Sequence, residues 1–164
     1  MARLRVYVDT SVFGGCFDRE FETGSRAFFE AISAGKVLPL VSEIVARELA
    51  NAPEQVQQTF AQIIEGECER LAMREATASL ASAYVQAGVV TPRCLDDALH
   101  VAMATQARAD VIASWNFRHL VNPTRIRGFN SVNVAQGHGQ VVILTPEDVA
   151  HSLEEGDEGR DEDV

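Results

Sequence analysis

Lysine is nearly absent from this sequence of 164 residues, in which Lys36 is the single example. A P-loop nucleotide-binding site, a phosphoacceptor receiver domain and a Schiff-base enzyme each depend on a lysine in a defined sequence context. Lys36 lies between Gly35 and Val37, where none of these contexts is present. The sequence therefore excludes these three classes of protein.

Long apolar runs and cysteine pairs are also lacking. No apolar run approaches the roughly 18 residues of a membrane span, and the apolar stretch near the amino terminus is too short for a secretory signal. We therefore expect a cytoplasmic protein that does not enter a membrane. Cys16, Cys68 and Cys94 are an odd number without CxxC spacing, which predicts buried thiols rather than a disulfide framework or a zinc site.

Positive charge is scarce as well, since the formal net charge is −10. The acidic excess is concentrated in residues 154–164, where seven acids face one arginine, so this segment carries −6 and the rest of the chain −4. Such a segment cannot bury enough apolar surface to pack. We predict one domain over residues 1–150, followed by a disordered acidic tail over residues 151–164.

Short apolar runs alternate with helical segments along the chain. The predicted strands are residues 4–8, 37–41, 111–114 and 141–144. The predicted helices are residues 25–34, 43–50, 54–65, 75–87 and 95–107. Strands that alternate with helices predict an α/β fold, in which a mainly parallel sheet is covered by helices on both faces.

Two acidic residues are notable for their positions relative to these elements. Asp9 directly follows the first strand, at the edge where parallel α/β sheets bind ligands, although a local turn bond also explains an aspartate there. Glu48 falls within an apolar helical stripe with Ile44 and Val45, where an unpaired charge is costly. The alternative for Glu48 is a boundary glutamate that reaches solvent or pairs with an arginine.

Asp96 and Asp97 begin a helix that is apolar almost all round. The helix macrodipole stabilises acids in a first turn, which alone accounts for one of them. Adjacent residues point about 100° apart on a helix, so we expect no more than one of the two to reach a shared site. His100 lies one turn beyond Asp97, and we predict a packing or supporting role for it, because a site for a hard cation needs oxygen ligands.

In combination, these segments resemble the PIN domain family. The resemblance covers about residues 4–149 and is carried, in order, by Val8-Asp9-Thr10-Ser11, Ala46-Arg47-Glu48-Leu49, residues 97–104 and residues 109–117. It implies a three-layer α/β/α PIN-like fold and a divalent-metal-dependent endoribonuclease that hydrolyses RNA, often the toxin of a VapC-like toxin–antitoxin pair. By position, Asp9, Glu48 and Asp97 would be catalytic residues that hold Mg²⁺ or Mn²⁺.

The resemblance also assigns residues around this acidic pocket. Asn116 stands where many family members have aspartate, and we include it among the catalytic residues because an amide oxygen can still ligate a hard cation or hold a metal-bound water. The missing negative charge disfavours a second metal ion. Ser11 is expected to hydrogen-bond a ligand or water. The predicted RNA-phosphate contacts come from the basic stretch that follows Asp97, namely Arg118, Arg125 and Arg127.

Two alternative functions are left open. Asn116 makes plausible a catalytically weak PIN-like domain that serves as an RNA-binding or regulatory module. A different Mg²⁺-dependent phosphohydrolase is the other alternative, but the haloacid-dehalogenase type needs Asp-x-Asp after the first strand, and position 11 is serine. Family members commonly form homodimers and toxin–antitoxin pairs, so the resemblance implies a second copy and an antitoxin protein as expected partners.

Overall fold

Five strands form the centre of the structure, a computed structural model that describes residues 3–161, with side chains up to residue 156. The strands are β1 (Leu4–Val8), β2 (Val37–Ser42), β3 (Glu69–Leu71), β4 (Val111–Ala113) and β5 (Ile143–Leu144). The helices within the described range are α1 (Thr10–Gly15), α2 (Glu22–Ser33), α3 (Glu43–Glu48), α4 (Glu54–Glu65), α5 (Glu75–Gln86), α6 (Leu95–Gln106), α7 (Pro123–Ala135) and α8 (Pro146–Asp161), with a 3₁₀ turn at Pro92–Cys94.

The strands lie in the order β3-β2-β1-β4-β5, and all four pairings are parallel. The chain runs from β1 outward to β3 and then returns to the other side of β1 to form β4 and β5. This reversal leaves a crevice at the carboxyl ends of β1 and β4, which is where open parallel sheets bind ligands.

Both faces of the sheet are buried, which explains why its central strands are continuous apolar runs. On one face, Tyr7, Leu40 and Ile112 pack in the cluster that includes residues of α5, α6 and α7. On the other face, Val6 and Val41 pack in the cluster that includes residues of α2, α4 and α8. The predicted three-layer α/β/α architecture is therefore confirmed.

Helix α1 contains the pair Gly14-Gly15, which is typical of a loop or turn. Gly15 is instead a close-packing position. A Cβ atom added to it would lie 2.2 Å from Ser25 Oγ and 2.8 Å from Trp115 Nε1. The glycine lets α1 approach its neighbours, and it does not mark a turn.

Helix α8 continues over residues 151–161, for which the sequence predicts a disordered tail. The beginning of the helix is fixed by the core, because Val149 and Ala150 are buried and Leu153 packs against the same cluster. His151 Nε2 also lies 3.2 Å from Glu155 Oε1, one turn along the helix. The domain boundary predicted at residue 150 therefore falls inside this helix, and residues 162–164 lie outside the described residues.

No helix within residues 3–161 is both long enough and apolar enough to span a bilayer.

Candidate metal centre

One open cavity of about 520 Å³ lies at the carboxyl ends of β1 and β4. Its lining includes Asp9, Glu48, Asp97 and Asn116, so the structure brings together the acidic residues that the sequence selects from three distant segments. Asp9 follows β1, Glu48 ends α3, and Asp97 lies in the first turn of α6. Asp110 lies outside the cavity lining, as its position before β4 predicts, and accepts a hydrogen bond from the Arg5 backbone N–H at 2.8 Å.

The Asp9 carboxylate is held in place by two hydroxyl groups. Its Oδ2 atom accepts hydrogen bonds from Ser11 Oγ at 2.7 Å and from Ser114 Oγ at 2.8 Å. Ser11 Oγ in turn accepts from the Trp115 backbone N–H at 2.9 Å, so one hydroxyl links the start of α1 to the end of β4. The structure thus shows Ser11 orienting a carboxylate at the cavity wall, and the hydrogen bond to a ligand or water that the resemblance implies stays a prediction.

Glu48 belongs to a hydrogen-bonded chain that extends into the core. Its Oε1 atom lies 2.5 Å from His100 Nε2 and accepts a hydrogen bond from Thr10 Oγ1 at 3.2 Å. On the other side of the imidazole, Nδ1 lies 2.6 Å from the Tyr7 hydroxyl, which is 2.8 Å from Ser42 Oγ. His100 is 1% exposed. The predicted supporting role of His100 agrees with this position between a strand hydroxyl and a cavity carboxylate.

The electrostatic environment favours a charged His100–Glu48 pair. Tyr7 fits both forms of the ring: it can accept from Nδ1–H of an imidazolium, or donate to Nδ1 of a neutral imidazole while it accepts from Ser42. Burial alone would lower the pKa of His100, but the Glu48 hydrogen bond and the charges of Asp9, Glu48 and Asp97 outweigh it and raise that pKa. Burial likewise opposes ionisation of Glu48, but its bond to His100 lowers the Glu48 pKa overall.

We expect the stability of the metal-free protein to depend on pH through this pair. The contribution of His100 is lost as pH rises through its raised folded pKa, and that of Glu48 is lost as pH falls through its lowered folded pKa. Stabilisation is therefore fullest between the ordinary pKa values of 4.5 and 6.5. Urea unfolding should show that the wild type loses roughly 1 kcal/mol more than Glu48→Gln between about pH 6 and pH 9. Equal losses in the two proteins would contradict the charged pair.

Asp97 and Asn116 form the opposite wall of the cavity. Asn116 Oδ1 accepts a hydrogen bond from the His119 backbone N–H at 3.0 Å, which fixes the orientation of the amide, and Nδ2 then faces Asp97 Oδ1 at 3.4 Å. The amide nitrogen is thus directed at Asp97, and the amide oxygen proposed as a ligand from the sequence is engaged with backbone. Burial and then the charge of Asp9 raise the pKa of Asp97, against the weaker opposing effects of His119 and His100.

The donor set fits a hard cation that retains part of its water shell. Asp9, Glu48 and Asp97 with a protonated His100 give a net charge of −2, and Asp18, which also lines the cavity, brings it to −3, most of which one divalent ion would offset. Among the described residues, the carboxylates of Asp9, Glu48 and Asp97 are not all within 4.8 Å of one another. They therefore do not form a closed cage, and Mg²⁺ commonly binds through one or two carboxylates and several waters.

Asp96 does not line the cavity. Asp96 accepts a hydrogen bond from Arg47 at 2.8 Å, so one acid of the Asp96–Asp97 pair reaches the cavity, as expected.

Of the arginines predicted to contact RNA, Arg118 and Arg127 are exposed. Arg125 is half-buried and donates to the carbonyl oxygen of Val89, so a structural contact accounts for its guanidinium.

Sequence reasoning missed the groups that orient the carboxylates. Tyr7 lies within β1 and Ser114 directly follows β4, and both strands read as plain apolar runs. Ser42 precedes α3, a position where serine is typical of a helix N-cap. The available signal was a hydroxyl within a buried strand, since such a group normally has a hydrogen-bond partner. The identity of each partner depends on contacts between elements far apart in sequence.

A parallel five-stranded sheet with a carboxylate-lined cavity at its switch point defines this structure as a PIN-domain, VapC-like fold. No family model and no curated protein matches the sequence. Among solved structures, the chain is similar to VapBC2 from Rickettsia felis bound to a DNA fragment from its promoter, at 14% identity and a TM-score of 0.55 over 87% of this chain and 98% of that one. It is also similar to FitAcB from Neisseria gonorrhoeae, at 14% identity and a TM-score of 0.53 over 86% and 97% of the two chains.

Proposed function

We propose that this protein is a divalent-metal-dependent endoribonuclease that hydrolyses RNA phosphodiester bonds and acts in the cytoplasm as the toxin of a toxin–antitoxin pair. The observation that carries the proposal is the meeting of Asp9, Glu48 and Asp97 in one open cavity at the switch point of the sheet. Packing alone does not explain why the carboxylates of Asp9, Glu48 and Asp97 share a cavity, because like charges raise one another's pKa and repel.

In this proposal Asp9, Glu48 and Asp97 would hold Mg²⁺ or Mn²⁺. The cation would supply a water of lowered pKa and would offset the negative charge of the phosphodiester. Ser11 and Ser114 keep the Asp9 carboxylate oriented through its Oδ2 atom. His100 keeps Glu48 ionised and fixed at the rim of the cavity. Exposed Arg118 would contact an RNA phosphate and contribute affinity rather than sequence choice.

The likeness to VapBC2 and FitAcB supports an antitoxin protein as the partner of this chain. A second copy of the chain is the other partner that we propose. Co-expression with the product of the adjacent upstream gene, followed by size-exclusion chromatography with light scattering, would measure both associations.

The activity is tested with purified protein and a single-stranded RNA. We expect cleavage in Mg²⁺ or Mn²⁺, none with a chelator, and recovery when the metal is returned. Asp9→Asn, purified in parallel, controls for contaminating nucleases, because the asparagine oxygen can still accept the Ser11 and Ser114 hydrogen bonds while one charge is lost. Cleavage that survives both the chelator and Asp9→Asn would reject the proposal.

A catalytically weak RNA-binding or regulatory module is the second candidate. It is favoured by the direction of the Asn116 amide, which donates toward Asp97 instead of offering an oxygen to the cavity. Metal-independent RNA binding without cleavage in the assay above would support it.

Replacement of Asn116 by aspartate should separate metal affinity from stability. The new carboxylate can still accept from the His119 N–H but places negative charge against Asp97. We expect the metal-free variant to unfold more easily and to bind Mn²⁺ about tenfold more tightly, because a hard anionic ligand replaces an amide N–H. Calorimetric titration and thermal unfolding with and without Mn²⁺ measure the two effects. Unchanged Mn²⁺ affinity would place the cation elsewhere.

A further inference from the structure

A second group of possible metal ligands lies behind the acidic cavity. Ligand atoms of Cys94, Asp97 and His119 all lie within 4.8 Å of one another, and all three residues are partly buried. Cys94 is the residue before α6 and Asp97 is the third residue of that helix, so their side chains are one turn apart on one face. His119 lies in the loop between β4 and α7 and is positioned by its N–H bond to Asn116.

The spacing of the sulfur and nitrogen atoms fits a tetrahedral ion. Cys94 Sγ lies 3.6 Å from His119 Nε2. A Zn²⁺ ion with bonds of about 2.3 Å to sulfur and about 2.0 Å to nitrogen separates these two ligands by about 3.5 Å at the tetrahedral angle. The distance between Cys94 Sγ and His119 Nε2 therefore matches the distance between two ligands of one Zn²⁺ ion. The Asp97 carboxylate is the adjacent third ligand.

The imidazole of His119 is held only weakly by its surroundings. Its Nε2 atom faces the weakly bonding sulfur of Cys94, and its Nδ1 atom is buried without a hydrogen-bond partner among the described residues. In the tautomer with its proton on Nδ1, the Nε2 lone pair faces Cys94, as a metal ligand requires.

We propose that Cys94, Asp97 and His119 form a binding site for a thiophilic divalent cation, Zn²⁺ or Co²⁺, with the fourth position open to water. Thiolate and imidazole ligands select such ions over Mg²⁺, which requires oxygen ligands. The site is therefore chemically distinct from the cavity formed with Asp9 and Glu48, although Asp97 is common to both. An ion bound to Cys94 and His119 would withdraw Asp97 from that cavity. Zn²⁺ would then inhibit RNA cleavage, a consequence that rests on the proposed function.

Titration of the tag-free, reduced protein with Co²⁺ tests the site without reference to activity. Coordination by Cys94 should produce the thiolate-to-cobalt charge-transfer absorption in the near ultraviolet, saturating at one equivalent. Cys94→Ser should abolish this absorption, and His119→Ala should weaken Co²⁺ binding by about 10–100-fold. Cys16→Ser and Cys68→Ser are matched controls that should leave the absorption unchanged, since these cysteines lie outside the cluster. Thermal unfolding verifies that each variant is folded.

Absence of the charge-transfer absorption in the wild type, its persistence in Cys94→Ser, or its loss in Cys68→Ser would each overturn the proposal. If the protein cleaves RNA, added Zn²⁺ should inhibit the Mg²⁺-dependent reaction of the wild type and inhibit Cys94→Ser at least about tenfold less strongly. Equal inhibition of the two proteins would overturn the link between the sites. If the protein does not cleave RNA, the Co²⁺ spectrum still decides whether the cluster binds metal, so the two proposals fail separately.

Discussion

Replacing Asp97 by asparagine is expected to lower the rate of RNA cleavage by at least about 100-fold, because one of the three carboxylates proposed to hold the metal is lost. The fold should survive, since the asparagine oxygen can still accept the hydrogen bond from Asn116. Burial and the nearby charge of Asp9 already disfavour the ionised form of Asp97, so the neutral side chain adds no new cost to the metal-free protein. Initial rates on a single-stranded RNA at saturating Mg²⁺ provide the measurement.

Asp96→Asn is the matched control for this experiment. Asp96 precedes Asp97 in the same helical turn, but its carboxylate is 55% exposed and pairs with Arg47 outside the cavity. An exposed pair of this kind contributes little to stability, so we expect a rate within about twofold of the wild type. Comparable activity of the Asp97→Asn and Asp96→Asn proteins would show that the cavity is not the catalytic centre.

Replacing Trp115 by alanine should lower the free energy of unfolding by about 3–5 kcal/mol, the usual cost of removing a large aromatic side chain from a packed core. Trp115 is 8% exposed, stacks on Phe21 at a ring-centroid distance of 4.5 Å and donates from Nε1 to Ser25 Oγ at 2.8 Å. A Cβ atom on Gly24 would lie 2.9 Å from its ring, so the backbone of α2 packs directly against the indole. Urea unfolding followed by circular dichroism measures the change.

Phe117→Ala provides the comparison, because Phe117 is 49% exposed and lies only two residues further along the chain. Truncation of such a surface aromatic should change the unfolding free energy by less than about 1 kcal/mol. If Trp115→Ala were as stable as Phe117→Ala, the indole would not be the packing element that the structure describes.

The sheet could be predicted from the sequence because its strands are buried on both faces and therefore read as continuous apolar runs. Strand β1 and helix α4 were predicted with the bounds that the structure shows. Strand β3 escaped prediction because it is a three-residue edge strand with the polar sequence Glu-Arg-Leu. Helix α7 was not predicted because it is polar along most of its length and has no apolar stripe. Its start signals were present, since Asn122 caps the helix and Pro123 begins it.

The acidic residues of the candidate site could be selected from the sequence, but their environment could not. Asp9 and Asp97 lie at element ends, and this position depends only on local sequence. The partnership of Glu48 with His100 depends on how α3 packs beside α6, a contact between residues 52 positions apart. This partnership raises the pKa of His100 and so favours a positive charge that a count of carboxylates omits. The cysteines, predicted as buried, are partly exposed, and the closeness of Cys94 to His119 has no sequence spacing that would indicate it.

The packing of α8 against α2 has a consequence for the order of events during synthesis. The apolar face of α2 is made early, but Val149 and Leu153, which pack in the same cluster, follow all five strands in the sequence. A nascent chain that already contains Asp9, Glu48 and Asp97 still lacks α8 and the edge strand β5. Because domains gain stability only when their core is closed, the three carboxylates are held in a stable arrangement only after α8 has been made.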